Sequence, residues 1–158
     1  FSEIIKKQKF IEYSPLSLKY LREIGKIINT NDGGLLLFDY GYSENKFKDT
    51  LQAIQNHKYA NILDNIGNRD ITYNLNFYFL KKFIQSLKKL KSIYINQRNF
   101  LLNMGIMQRA EIISKKLQFS KKADLFYRVG RLIDEDKMGS LFKVMFITKK
   151  NNSFKVGF

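Results

Sequence analysis

The chain has 158 residues, no cysteine, a single histidine (His57), and 28 basic against 14 acidic side chains, for a net charge of +14 at pH 7. Without thiols it forms neither disulfides nor thiolate zinc sites, and one imidazole is too few for an ordinary zinc or iron centre. Its length is that of about one domain, and a hydrophobic content of 44% predicts a packed core rather than wholesale disorder.

No apolar run approaches the roughly 20 residues of a membrane span, and no signal peptide is visible at the amino end, which opens on Phe1 instead of Met. The basic excess is mostly lysine and accompanies abundant Ile, Asn, Tyr and Phe. These residues share AT-rich codons, so a biased genome accounts for the charge without a polyanionic partner. The expected compartment is a bacterial cytoplasm.

Residues 1–12 are mixed and basic, and read as the frayed remains of an earlier element. Ser14-Pro15 then starts a helix: the serine accepts from a first-turn amide, and proline at the first position gives up no hydrogen bond. Leu18, Leu21, Ile24 and Ile28 line one face, and Asn31-Asp32-Gly33-Gly34 ends the helix. Residues 34–39, apolar on both faces, predict a central strand of a parallel sheet, covered above and below. Helix, glycine turn and buried strand give an α/β rhythm, in which ligands sit beyond the carboxyl ends of strands. Asp39-Tyr40-Gly41-Tyr42 forms such an end.

A polar loop over 43–49 leads to a short strand at 50–54. Gly67–Arg69 turn before Asp70-Ile71-Thr72, where an extended backbone sends both polar side chains to one side. Asn76 predicts the N-cap of a helix over 77–87, with Phe79, Leu80, Phe83, Ile84 and Leu87 on its inner face. A strand at 92–95 follows, then helices over 97–117, broken near Gly105, and over 121–133. Residues 141–148 read as a closing strand, with 153–157 pairing back on it. The lysines of 81–91 stand opposite the apolar face and read as a solvated surface. Exposed aromatics do not interleave with them, so nucleic-acid binding is disfavoured.

Six stretches, in order, carry a resemblance: "EYSP" at 12–15, "GGLLLFDYGY" at 33–42, "DTLQAIQNHK" at 49–58, "GNRDITYNLNF" at 67–77, "QRNFLLNMGI" at 97–106 and "MGSLFKVMFI" at 138–147. The chain resembles the C-terminal half of the MidA-like SAM-dependent methyltransferases, the family of a mitochondrial protein arginine methyltransferase that assists assembly of respiratory complex I. Two positions depart from the family pattern: Ile66 stands where a proline usually precedes glycine, and Asn76 stands where the family has aspartate.

The resemblance implies an α/β fold, the later part of a Rossmann-like class I SAM-dependent methyltransferase sheet with helical insertions. It also implies methyl transfer from S-adenosyl-L-methionine to a protein arginine, on a substrate that includes complex I subunits among its candidates. A SAM site needs a Gly-rich loop between a strand and a helix, so that the backbone approaches the ligand. Gly33-Gly34 precedes its strand and Gly139 follows a helix, so neither qualifies. The expectation is one domain over 1–158 that lacks the SAM-binding portion, binds SAM poorly alone, and has an N-terminal methyltransferase fragment as a candidate partner. A basic binding module or the inactive relic of a split gene are the alternatives.

Guanidinium recognition calls for carboxylates that pair with its planar donors and aromatic walls that accept the cation. Asp39 and Asp70 are the candidate catalytic carboxylates, and Tyr40, Gly41, Tyr42, His57, Thr72 and Gln97 the candidate substrate contacts. Each has a plainer role beside it. Asp39 caps a turn, the tyrosines plug a sheet edge, Asp70 and Thr72 satisfy turn amides, His57 is a neutral hydrogen-bonded imidazole, and Gln97 caps a helix.

Overall fold

The computed structural model describes residues 8, 11–56 and 58–158. The expectations for most of residues 1–10, and the role weighed for His57, lie outside the described residues.

Helix α1 spans Pro15–Asn31, and its start follows the local chemistry: the Ser14 hydroxyl accepts from the Ser17 amide at 3.1 Å. Its apolar face ends at the buried Ile28. Asp32 (φ 62°) and Gly33 (φ 106°) then reverse the chain through the left-handed region.

Strand β1 (Gly34–Tyr42) follows, and pairs over Gly34–Tyr40 with β7 (Phe142–Lys149) in antiparallel register, Asp39 opposite Lys143. On the far side of β7 lies β6 (Leu90–Asn96), also antiparallel. The short β5 (Leu75–Asn76) meets β1 in parallel at Gly41 and Tyr42, giving the order β5-β1-β7-β6. A separate antiparallel sheet has the order β3-β2-β4, from Lys58–Ala60, Gln52–Gln55 and Asp70–Thr72.

Residues 34–39 are therefore not the central parallel strand that their unbroken apolar character predicts. The main partner runs antiparallel. Coverage also alternates: Leu35, Leu37 and Asp39 are half-buried, whereas Leu36, Phe38 and Tyr40 remain 45%, 41% and 45% exposed. Among the described residues no strand pairs with the second edge of β1 between Gly34 and Tyr40. An apolar run reports how buried a strand is fit to be, and is silent on strand direction.

Helix α2 (Phe77–Ser86) is capped by Asn76, whose Oδ1 accepts from the Phe79 amide at 3.0 Å. Its Phe79, Leu80, Phe83 and Ile84 enter the main core beside Ile28, Met145 and Ile147. Each such side chain contributes about 1.5–3 kcal/mol on burial, against about 1 kcal/mol for the cap. Packing holds this helix, and the cap sets where it starts.

Helices α3 (Gln97–Asn103) and α4 (Ile106–Ser114) flank Gly105, in the left-handed conformation, where the break is expected. Helix α5 (Phe119–Ile133) packs on α4 through Ala110, Val129 and Ile133, and α6 (Met138–Leu141) leads into β7. Residues 153–157 form no strand. Phe154 and Phe158 lie on Phe146 instead, at ring distances of 5.6 and 6.0 Å, so aromatic packing replaces the expected ladder.

Candidate functional site

Just before β1 meets β5, its edge away from β7, from Gly34 to Tyr40, pairs with no strand among the described residues. A cleft of about 360 Å³ opens there between α1 and the half-buried face of β1. Ser17, Tyr20 and Leu21 line it from the helix, Asp39 from the strand, and Tyr73 and Leu75 from the segment entering β5. A separate and much smaller recess of about 20 Å³, lined by Glu12, Ser14 and Asn76, shares Tyr73 and Leu75 with this cleft.

Asp39 is half-buried, and its Oδ1 accepts from the Tyr40 amide at 2.8 Å. Burial pushes its carboxyl above the ordinary value of 3.8, and the amide bond opposes that shift. The Tyr73 phenol is likewise pushed up, by burial first and then by the negative charges of Asp39 and Glu12. Glu12 is fixed by a short relay: its Oε2 accepts from the Thr50 hydroxyl at 2.5 Å, and that hydroxyl accepts from the Asn74 amide at 2.9 Å.

The seven predicted site residues that are described do not form one cluster. Strand alternation puts Tyr40 on the opposite face from Asp39, with its ring 4.0 Å from Phe142. The Tyr42 hydroxyl accepts from the Lys48 amide at 3.0 Å, and the Lys48 ammonium lies 5.1 Å above its ring, so Tyr42 anchors the loop after β1. Gly41 allows β5 to approach, because a Cβ there would overlap the Leu75 carbonyl and stand 2.6 Å from the Phe77 ring.

Asp70 and Thr72 lie on the small sheet, exposed, with Thr72 Oγ1 accepting from Gln52 Nε2 at 3.1 Å. Gln97 is buried and donates from Nε2 to the Leu132 carbonyl at 2.9 Å, while Arg98 Nη1 donates to the Ile133 carbonyl at 2.8 Å. Both close the last turn of α5, whose carbonyls have no partner within the helix. Sequence reasoning missed Glu12 and Tyr73, although both stand inside strings already singled out, "EYSP" and "GNRDITYNLNF".

Among the described residues no group of His, Asp or Glu is arranged to hold a metal ion, and no helix is long and apolar enough to cross a membrane. The described residues also do not fit S-adenosyl-L-methionine. No glycine loop runs from the end of a strand into a helix: Gly33-Gly34 precedes β1, Gly41 lies within it, and Gly139 lies in α6.

An α/β sheet ending in a central antiparallel strand, with a carboxylate and phenols at the carboxyl end of its open strand, is the later part of a Rossmann-like class I methyltransferase sheet. Two crystal structures from Burkholderia thailandensis share the fold at 22% identity. One, of an uncharacterized superfamily protein, has a TM-score of 0.76 over 92% of this chain and 40% of its own. The other, a superfamily member bound to S-adenosyl-homocysteine, has a TM-score of 0.73 over 90% and 38%.

The family model described as "Putative S-adenosyl-L-methionine-dependent methyltransferase" matches residues 1–95, and the chain belongs to that family. Curated relatives include the mitochondrial protein arginine methyltransferase NDUFAF7 of Mus musculus, 30% identical over 86% of this chain and 31% of the relative. The NDUFAF7 homolog of Caenorhabditis elegans is 29% identical over 90% of this chain and 33% of the relative. The chain spans about a third of the length of these relatives.

Proposed function

We propose that this chain is the substrate-side, C-terminal part of an S-adenosyl-L-methionine-dependent protein arginine methyltransferase. One observation carries the reading: the Asp39 cleft borders a sheet edge on which, among the described residues, no strand pairs from Gly34 to Tyr40, in a family whose curated relatives are about three times as long as this chain. An unpaired edge beside a half-covered apolar face is a template for further strand pairing. A SAM-binding portion supplies that strand and the glycine cradle that the described residues lack.

The chemistry assigned to this chain is positioning and proton acceptance. The acceptor guanidinium lies in the Asp39 cleft, held near its reacting geometry. Oδ1 of Asp39 is taken by the Tyr40 amide, which leaves Oδ2 for the substrate. Burial raises the carboxyl's proton affinity, which suits it to accept the proton that the nucleophilic nitrogen releases. The acceptor is a protein arginine, and a respiratory complex I subunit is the candidate that the family resemblance names.

The test is calorimetric titration of S-adenosyl-L-methionine into this chain, alone and mixed with the polypeptide encoded just upstream. Heat only in the mixture is expected. Binding to the chain alone would show that the cofactor site lies here. No heat in either case overturns the reading and favours a basic binding module or a relic.

A further inference from the structure

Phe119 opens α5 with its side chain 88% exposed, more than any other phenylalanine among the described residues. Residues 115–118 join α4 to α5, so Ile112 (58% exposed) and Ile113, in the last turn of α4, lie at the same tip of the helical pair. Four lysines share that tip: Lys115 and Lys116 in the turn, Lys121 and Lys122 in the first turn of α5. Residues 112–123 hold no acidic side chain. Of the flanking acids, Asp124 is taken by Arg128 at 2.9 Å, and among the described residues none of the four lysines enters an ion pair, with Glu111 or any other acid.

The local chemistry of α5 does not ask for this composition. Gln118 at its N-cap makes no side-chain capping bond, no acid stands in its first turn, and two ammonium groups sit where the helix dipole disfavours them. Helices α1 and α2, by contrast, start on the caps Ser14 and Asn76. The α5 start therefore gathers like charges around a wet phenyl ring at a cost to its own helix. An apolar wedge among cations is complementary to a surface that is negative at its face and apolar beneath.

We propose that the α4–α5 tip docks this protein on an anionic phospholipid bilayer, with Phe119 inserted below the headgroups and Lys115, Lys116, Lys121 and Lys122 on the headgroup phosphates. Lysine stems lie along such an interface while their ammonium groups stay in water. Ile112 and Ile113 favour a bilayer over a nucleic acid, because bases stack on aromatic rings whereas aliphatic side chains gain from acyl chains. Attachment is peripheral, since no helix among the described residues is long and apolar enough to cross a membrane. The inference stands on the helical pair alone and is independent of the arginine methyltransferase reading.

The chain contains no tryptophan, so Phe119→Trp places a single reporter at the tip. Its emission is expected to shift to the blue on vesicles of phosphatidylcholine with about a third phosphatidylglycerol, and to stay unmoved on phosphatidylcholine alone. In co-sedimentation, the unaltered chain should bind the anionic vesicles about tenfold or more tightly than the neutral ones. Lys121→Gln with Lys122→Gln should weaken that binding about tenfold. Lys88→Gln with Lys89→Gln removes the same charge from a lysine-lined cavity beside Asn29 and Asn151, and should leave binding nearly unchanged. Phe119→Ser should abolish the part of the binding that survives high salt. These side chains are exposed or half-buried, so every variant should melt with the parent.

Equal weakening by the two lysine pairs would reduce the attraction to net charge and overturn the proposal. Vesicle binding with the tryptophan emission unmoved would overturn it too. A DNA duplex that displaces the chain from vesicles and is itself weakened by Phe119→Ser would assign the tip to nucleic acid instead. Sedimentation repeated with the polypeptide encoded just upstream should retain the binding, and its loss there would mean that the partner covers the tip.

Discussion

Tyr73 stands beside Asp39 at the open end of β1, and the aspartate's negative charge helps keep the phenol protonated. The pair shows what the cleft costs the fold. Burial holds the Asp39 carboxyl above 3.8, so over the interval between 3.8 and that raised value the folded chain binds more proton than the unfolded one. Stability from this group is therefore lost as pH rises through the interval. Asp39→Asn keeps the bond from the Tyr40 amide and removes the titration. The variant is expected to melt higher than the parent at neutral pH, and the gap should close below pH 3.8. Melting curves across the pH range decide this, and a gap that does not change with pH would count against it.

Gly41→Ala should be strongly destabilising. The added methyl would overlap the Leu75 carbonyl and press on the Phe77 ring, which is fully buried in the core. Neither neighbour is the free end of a flexible side chain. Overpacking of this kind costs about 1–3 kcal/mol. Urea denaturation would read the loss, and an effect below a few tenths of a kcal/mol would show that β5 yields easily. Gly41 then acts by letting two strands meet, with no need for it to touch substrate.

Gln97 offers a clean separation of structure from binding. Gln97→Leu fills the same space but leaves the Leu132 carbonyl without its donor at the end of α5. A buried carbonyl left unpaired costs about 1–3 kcal/mol. The midpoint of urea unfolding should drop accordingly, while binding of Nα-acetyl-arginine amide, read by NMR, stays as in the parent at low temperature. Weakened binding of that amide in a variant of undiminished stability would return Gln97 to the substrate site.

The features legible from sequence are those written in neighbouring residues. Ser14-Pro15 and Asn76 cap the helices they were expected to cap, and Gly105 breaks the helical stretch between α3 and α4. The stripe from Phe79 to Ile84 is core because a 3.6-residue period reads burial directly. What failed depends on distant partners. The direction of β1 is set by β7, a hundred residues away, and an apolar run holds no record of it. Ser153–Gly157 reads as a strand, yet Phe154 within it and Phe158 after it find Phe146 and the ladder never forms. At the site, Asp70 and Thr72 drew attention by residue type, whereas Tyr73, one residue on, leaves the small sheet and enters the cleft. Glu12 was masked by the helix start two residues later. Six family-like strings in order named the fold, but only the folded backbone shows that three of them converge on Tyr73.

Asn76 does two jobs with one buried amide. Its Oδ1 caps α2 through the Phe79 amide, and its Nδ2 donates to the Lys46 carbonyl at 3.1 Å, tying the loop after β1 to the helix start. Asn76→Ala removes both bonds. Losing the cap costs about 0.5–2 kcal/mol, and the stranded Lys46 carbonyl adds to that, so a total near 2 kcal/mol is expected, largely independent of pH. Asn76→Asp keeps the cap, and a carboxylate at a helix N-terminus is favourable, but it turns an oxygen toward the Lys46 carbonyl. A carboxyl facing an acceptor prefers its proton, so this variant binds more proton folded than unfolded and loses stability as pH rises. Its deficit against the parent should shrink on acidification while that of Asn76→Ala stays level. Parallel urea titrations of the three proteins at neutral and acid pH measure the difference. Equal pH dependence in both variants would mean that the Lys46 contact carries no weight, and that aspartate would serve here as well as the asparagine this chain uses.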